Sequence, residues 1–173
     1  MIEIIEADIT TQSVDAIINA AGPGLPGGGG VDGDIHRAAD ASLRRASMKL
    51  APCPPGEARI TKAGRLCARH VIHAVGPRWR APDAEELLMR TYQSAFSLAE
   101  AYKCRTIASP FISCGVFGFP IEVGRNIALT AAQSFLGSSR AERIVFTVLP
   151  GLCSRASILD GDTHILIGQK AAG

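Results

Sequence analysis

The chain has 173 residues, 47% of them hydrophobic, 20% charged and 5% aromatic, with a formal net charge of +2. That length suits one domain able to bury roughly 70% of the surface its unfolded chain exposes, and an aliphatic, aromatic-poor composition suits an α/β core rather than disorder. The small charge argues against nucleic acid as the main partner, and the five cysteines, Cys53, Cys67, Cys104, Cys114 and Cys153, are widely spaced and never form C-x-x-C, indicating neither a disulfide framework nor a zinc ribbon.

A reducing cytoplasm fits that cysteine usage best. The N-terminal MIEIIEADIT is acidic where a signal peptide is basic, and no apolar run approaches spanning length, so a cytoplasmic chain with no membrane partner is expected.

Ile2 to Ile5 predict a short strand that leads into Glu6-Ala7-Asp8-Ile9-Thr10. Asp8 then stands just beyond a strand end, where ligands of open α/β sheets gather, or it caps the turn that follows; spacing alone favours the cap. Asp15 to Ala20 predict a second strand whose continuous run Ala16, Ile17, Ile18 is typical of burial on both faces.

From Asn19 to Ala39 the chain reads NAAGPGLPGGGGVDGDIHRAA, with seven glycines between Gly22 and Gly33. The strand ends at Asn19, and an amphipathic helix is expected to start near Asp32 with a carboxylate in its opening turn. The first N–H groups of a helix have no intrahelical partner and lie at the positive end of its dipole, so they favour an anion. Gly27 to Gly30 permit positive φ and let a ligand approach the main chain closely. The alternative, a flexible surface loop, is weakened by the strand and helix that bracket the run. Gly22, Gly24 and Gly27 match G-x-G-x-x-G formally, but Pro23 and Pro26 intervene and the helix starts too late for a dinucleotide fingerprint. Val31 and Asp32 stand where a P-loop needs Lys and Ser or Thr.

Val31, Ile35, Ala38, Ala39, Leu43, Ala46 and Leu50 recur at helical spacing, predicting one helix that ends before Pro52. Ala58 to Thr61 and Arg69 to Val75 predict two strands joined across Ala63-Gly64, a hairpin that makes the sheet mixed. His70 and His73 fall in the second strand with no Cys, His or carboxylate cluster nearby in sequence, and are read as core or edge residues without chemistry. Trp79, after Gly76-Pro77, covers an edge of the core or rims a cleft. Leu88, Thr91, Ala95, Leu98 and Tyr102 mark the buried face of a helix following Pro82.

Thr106 to Ile112 predict another apolar strand, which runs into Ser113-Cys114-Gly115-Val116-Phe117-Gly118-Phe119-Pro120 before a helix from about Ile121 to Phe135. This repeats the order strand, glycine turn, helix N-terminus, and two such turns make a concerted anion site more credible than one. Cys114, near a helix N-terminus, invites a nucleophile reading, although no base accompanies it in sequence. Arg143 to Leu149 give a last clear strand. Beyond Pro150 the pattern weakens, with a short strand at Ile165 to Ile167. Alternating strands and helices imply a three-layer α/β/α sandwich.

Six stretches, ADIT at 7–10, DAIINAA at 15–21, GGGGVDGDIHRAA at 27–39, PPGEARIT at 54–61, HVIHAVGPRW at 70–79 and SPFISCGVFGFP at 109–120, carry a resemblance. In family order, they resemble the macrodomain family, and within it the MacroD-type branch of ADP-ribose-binding domains and O-acetyl-ADP-ribose deacetylases. The resemblance implies a single domain over 1–173, weaker after Leu149, with a mixed six- or seven-stranded sheet and an ADP-ribose cleft at the strand ends. It implies no cofactor and no metal.

Carried over by position, Asp8 accepts the adenine amino group and the Ile9 backbone contacts the ring. Gly29, Gly30 and Val31, with Ser113, Cys114, Gly115, Val116 and Phe117, supply diphosphate-binding amides. Asn19, Gly22 and Asp32 lie at the distal ribose, with Asp32 and Asn19 as the catalytic pair. The implied partners are ADP-ribose, O-acetyl-ADP-ribose and mono-ADP-ribosylated proteins. The implied reaction is hydrolysis of an ester on the distal ribose, with Asp32 activating water or serving as a ribose hydroxyl acceptor. One departure matters: the branch reads NAAN where this chain reads NAAG, so Gly22 replaces an amide at the reacting end. That leaves a catalytically weak or inactive ADP-ribose reader as the alternative.

Overall fold

The computed structural model describes residues 1–149 and the strand Thr163–Ile165. Seven strands form one sheet: β1 (Ile2–Glu6), β2 (Val14–Ala20), β3 (Glu57–Lys62), β4 (Ala68–Val75), β5 (Thr106–Ser109), β6 (Arg143–Val148) and β7 (Thr163–Ile165), in the order β3-β4-β2-β5-β6-β1-β7. The β3–β4 hairpin is antiparallel and the other pairings are parallel, so the sheet is mixed as expected.

Strand alternation sorts the core into two layers. Ala16, Ile18 and Ile72 pack with Leu88 and Tyr92 of α3 (Ala84–Ala101) and with Ala128 and Ala132 of α4 (Ile121–Ser138). On the other face, Ile17 and Val71 meet Ile35 and Ala39 of α1 (Gly30–Ala39) and Leu43 of α2 (Ala41–Met48). The result is the α/β/α sandwich. Among the described residues no helix is long and apolar enough to cross a membrane.

Two predicted elements are corrected. The helix read through from Val31 to Leu50 is two helices, broken at Asp40, whose φ is +86°. The Ala39 carbonyl accepts from Arg65 N–H at 3.0 Å instead of continuing the helix, and the Asp40 carboxylate starts α2 by accepting from Ser42 N–H at 2.7 Å. Leu50 falls outside α2 and is exposed. The strand predicted for Thr106 to Ile112 stops at Ser109, because Pro110 has no N–H for a ladder. The Tyr92 hydroxyl accepts the Ile112 N–H at 2.8 Å in its place. Of the strand predicted at Ile165 to Ile167, Ile165 lies in β7 and positions 166–167 lie outside the described residues.

The connectivity positions the site. β2 and β5 are neighbours, pairing Ala16 with Ile107 and Ile17 with Ala108. The helix after β2 covers one face of the sheet and the helix after β5 covers the other. In open α/β sheets the ligand crevice lies at the carboxyl ends of two parallel strands whose helices diverge in this way.

Candidate functional site

The first wall of the crevice is the glycine stretch after β2. It closes a turn with Leu25 N–H donating to the Gly22 carbonyl at 3.0 Å, and Gly27 and Gly30 take φ of +73° and +57°. It lies so close to α1 that a Cβ on Gly33 would overlap the Gly28 carbonyl. The first α1 bond runs from Gly33 N–H to Gly29 O at 3.3 Å, so the amides of Gly30, Val31 and Asp32 have no acceptor among the described residues. A Cβ built on Gly29 or Gly30 would meet nothing within 4 Å, which leaves room for a ligand.

The second wall is the turn after β5. Ser113 has φ +65°, Gly118 N–H donates to Gly115 O at 2.9 Å, and Phe119 N–H donates to Ser113 O at 3.0 Å. The amides of Gly115, Val116 and Phe117 are left without acceptors among the described residues, and the Val116 side chain is 96% exposed. The end of β4 presses on this turn: a Cβ on Gly76 would overlap Ser113 Oγ and come 2.6 Å from Ile112 Cγ2. Trp79 donates its backbone N–H to Phe117 O at 2.9 Å and packs its ring edge on Phe119, so it buttresses the turn from the core side.

Cys114 is not a nucleophile in this arrangement. Its sulfur is packed so tightly on α4 that a Cβ on Gly124 would overlap it, and burial pushes the thiol up to about 11. Its backbone N–H donates to Phe111 O at 3.3 Å, so the diphosphate-binding amide expected of Cys114 is already committed within the turn.

Between the walls lies a buried polar cluster. Asn19, fully buried near the end of β2, donates from Nδ2 to Asp32 Oδ1 at 2.7 Å. The same nitrogen is 3.3 Å from His73 Nδ1, and His73 Nε2 is 3.0 Å from Thr61 Oγ1. His36, one turn after Asp32, has its Nε2 at 3.4 Å from Asp32 Oδ1 without the alignment of a hydrogen bond. Burial pushes His73 down to about 3, with the charge of His36 a smaller cause in the same direction. Burial also lowers His36, against the pull of Asp32 and with a push from Arg44. Both rings are therefore neutral at neutral pH, and among the described residues no Lys or Arg is paired with Asp32. Asn19 Oδ1 is buried and has no donor among the described residues, and neither does Asp32 Oδ2.

Residues 18–128 match the family model of the Macro domain. The chain belongs to the Macro domain family. This macro domain is 48% identical over 149 residues to a macro domain-containing protein of Chlorobaculum tepidum, covering 84% of this chain and 87% of the relative. It is 49% identical over 141 residues to a Citrobacter rodentium protein named O-acetyl-ADP-ribose deacetylase, covering 78% and 80% of the two chains. Among solved structures, a mutant Oceanobacillus iheyensis macrodomain with ADPR superposes with a TM-score of 0.81 at 36% identity, covering 86% of this chain and 84% of that one.

Asn19 and Asp32 meet directly in this macro domain, while Gly29, Gly30 and Val31 stand at the start of α1 and Ser113 to Phe117 in the turn after β5. Gly22 follows β2 with open space where its Cβ would be. Asp8, just past β1, caps a 3-10 turn over Ile9–Thr11: its Oδ1 accepts from Thr10 N–H at 2.8 Å and Thr10 Oγ1 at 2.7 Å. Capping does not exclude a ligand role, since Asp8 is exposed and its Oδ2 has no donor among the described residues. The Ile9 side chain is buried, leaving its backbone for contacts.

His36, His73 and Thr61 are the residues the sequence reading missed. His36 stands four residues after Asp32, a spacing that places both on one helix face. His73 is visible only through register, which pairs it with Asn19 across β2 and β4. A separate groove of about 560 Å³, lined by residues such as Phe96, Thr130 and Phe135, runs along the C-terminal half of α4. It lies at the far end of that helix from the turns, and its polar lining, which includes Gln93, Glu100 and Ser134, contains none of the glycine-turn residues.

Proposed function

We propose that this macro domain binds ADP-ribose in the crevice between β2 and β5 and hydrolyses an ester at its distal ribose. The substrate is O-acetyl-ADP-ribose or mono-ADP-ribose esterified to an acidic protein side chain. The observation that carries this reading is the buried Asn19–Asp32 pair beside two sets of unpaired amides. Amides preorganised on two turns suit a diphosphate, and a carboxylate with one free oxygen suits a ribose hydroxyl or a water. In this assignment Gly29, Gly30 and Val31, with Ser113, Gly115, Val116 and Phe117, hold the diphosphate. The free oxygen of Asp8 and the Ile9 backbone take the adenine, and Asp32 Oδ2 orients or activates the attacking water. The deacetylase name of the Citrobacter rodentium relative and the ADPR of the Oceanobacillus iheyensis structure support it.

Gly22 favours a second reading, in which the chain binds ADP-ribose with little or no turnover, because no side-chain amide follows Asn19 and the two alanines. Titration calorimetry with ADP-ribose, together with turnover of O-acetyl-ADP-ribose by wild type, Asp32→Ala and Gly22→Asn, separates the two. Turnover lost in Asp32→Ala with binding kept supports the hydrolase. Binding without turnover, rescued by Gly22→Asn, supports the reader. Absence of ADP-ribose binding refutes both.

A further inference from the structure

The side-chain amide of Asn19 can face either way about its last torsion, and the two placements offer a ligand opposite chemistry. We propose that His73, anchored by Thr61, is the positioning residue that holds the Asn19 nitrogen against Asp32 and leaves the amide oxygen as the acceptor for a ribose hydroxyl. This rests on the ADP-ribose reading above.

The chain of contacts allows one self-consistent assignment. Asp32 Oδ1, 2.7 Å from Asn19, is an acceptor, so the atom facing it is the amide nitrogen; an oxygen there would set two lone pairs against each other. The second hydrogen of that nitrogen points to the remaining close polar atom, His73 Nδ1 at 3.3 Å, which must then carry no proton. A neutral imidazole unprotonated at Nδ1 carries its hydrogen on Nε2, and Thr61 Oγ1 stands 3.0 Å away to accept it. Both Asn19 hydrogens are thereby spent on protein acceptors, and Oδ1 is the buried atom left over. Thr61 and His73 come from β3 and β4, both outside the glycine stretch and its helix, so a rigid hairpin fixes the polarity of a group at the reacting end. Without His73 the amide keeps one partner and can tilt away from a ligand hydroxyl.

Two measurements test this. Long-range proton–nitrogen correlation spectra of the ¹⁵N-labelled wild-type protein at neutral pH report the His73 tautomer directly: Nδ1 unprotonated and Nε2 protonated is expected, and a proton on Nδ1 overturns the assignment. Calorimetry then compares ADP-ribose with ADP, which lacks the distal ribose, for wild type, His73→Leu and His73→Asn. The Leu variant is expected to bind ADP-ribose roughly 3- to 10-fold more weakly with ADP affinity kept, the size of one neutral hydrogen bond. The Asn variant, whose side-chain oxygen takes the place of Nδ1, is expected to recover most of that loss. Equal losses for both ligands, an Asn variant no better than Leu, or a wild type that does not distinguish the ligands overturns the proposal. A wild type that binds neither ligand refutes the ADP-ribose reading, while the tautomer still decides the role of His73.

Discussion

Acidification from pH 7 to 4.5 should destabilise the fold by an amount that His73 largely sets. The folded ring is held down to about 3 from an ordinary 6.5, so the native state stays neutral while the unfolded chain takes a proton. The unfolded state then binds more protons, and stability falls with pH across the whole window from about 6.5 to about 3. At about 1.4 kcal/mol per pH unit, the two units between 6.5 and 4.5 remove about 2.7 kcal/mol. The groups facing His73 are Asn19 and Thr61, which do not titrate, and His36 on α1, with Asp32 reached through Asn19. His36 is lowered as well and adds to the slope in the same direction. Urea unfolding at closely spaced pH values, for wild type and His73→Asn, isolates the His73 share. The gap between the two curves should change by about 2 to 3 kcal/mol over that window, in the sense that the variant is the less acid-sensitive. Parallel curves would refute the reasoning, since they would mean that the buried ring protonates as readily in the folded state as in the unfolded one.

Gly76→Ala should destabilise by about 1 to 3 kcal/mol and weaken anion binding at the second turn, because the added methyl collides with Ser113 and Ile112. Denaturant unfolding with ADP titration checks both effects. At pH 8, Cys114 should alkylate far more slowly than the exposed Cys67, as read by mass spectrometry after timed iodoacetamide treatment, since burial keeps its thiol protonated.

Much of the fold was legible because its signals are local. The run Ala16-Ile17-Ile18 announced a strand buried on both faces, and all three residues are fully buried. The hairpin over 58–75 announced a mixed sheet, which β3 and β4 supply. The break at Asp40 was hidden because Leu43 continues the spacing of Ile35 and Ala39, packing on the same face from a separate helix. Pro110 marked the true end of β5, but the apolar Phe111 and Ile112 beyond it extended the strand pattern. In the candidate site, each glycine turn could be read from its own sequence, whereas their adjacency follows from the pairing of β2 with β5. His73 was read as a core or edge residue without chemistry, and its burial places it in the core; its contact with Asn19 depends on the register of β2 with β4, and no spacing in one strand encodes that.

The pairing of β2 with β5 also makes ligand affinity a measure of complete folding. The two glycine turns proposed to hold the diphosphate are far apart in the chain and become neighbours only when the centre of the sheet has closed, so a fragment holding either turn alone lacks half of the proposed site. A ligand spanning both turns binds the closed sheet and not the open chain, and at 100 times its Kd it adds about 2.7 kcal/mol to the stability of that one topology. The stabilisation acts on long-range contacts, which close a loop large enough to be costly in chain entropy. Occupancy of the crevice would thereby retard opening between β2 and β5, so amide exchange in these central strands should slow together when ligand is present.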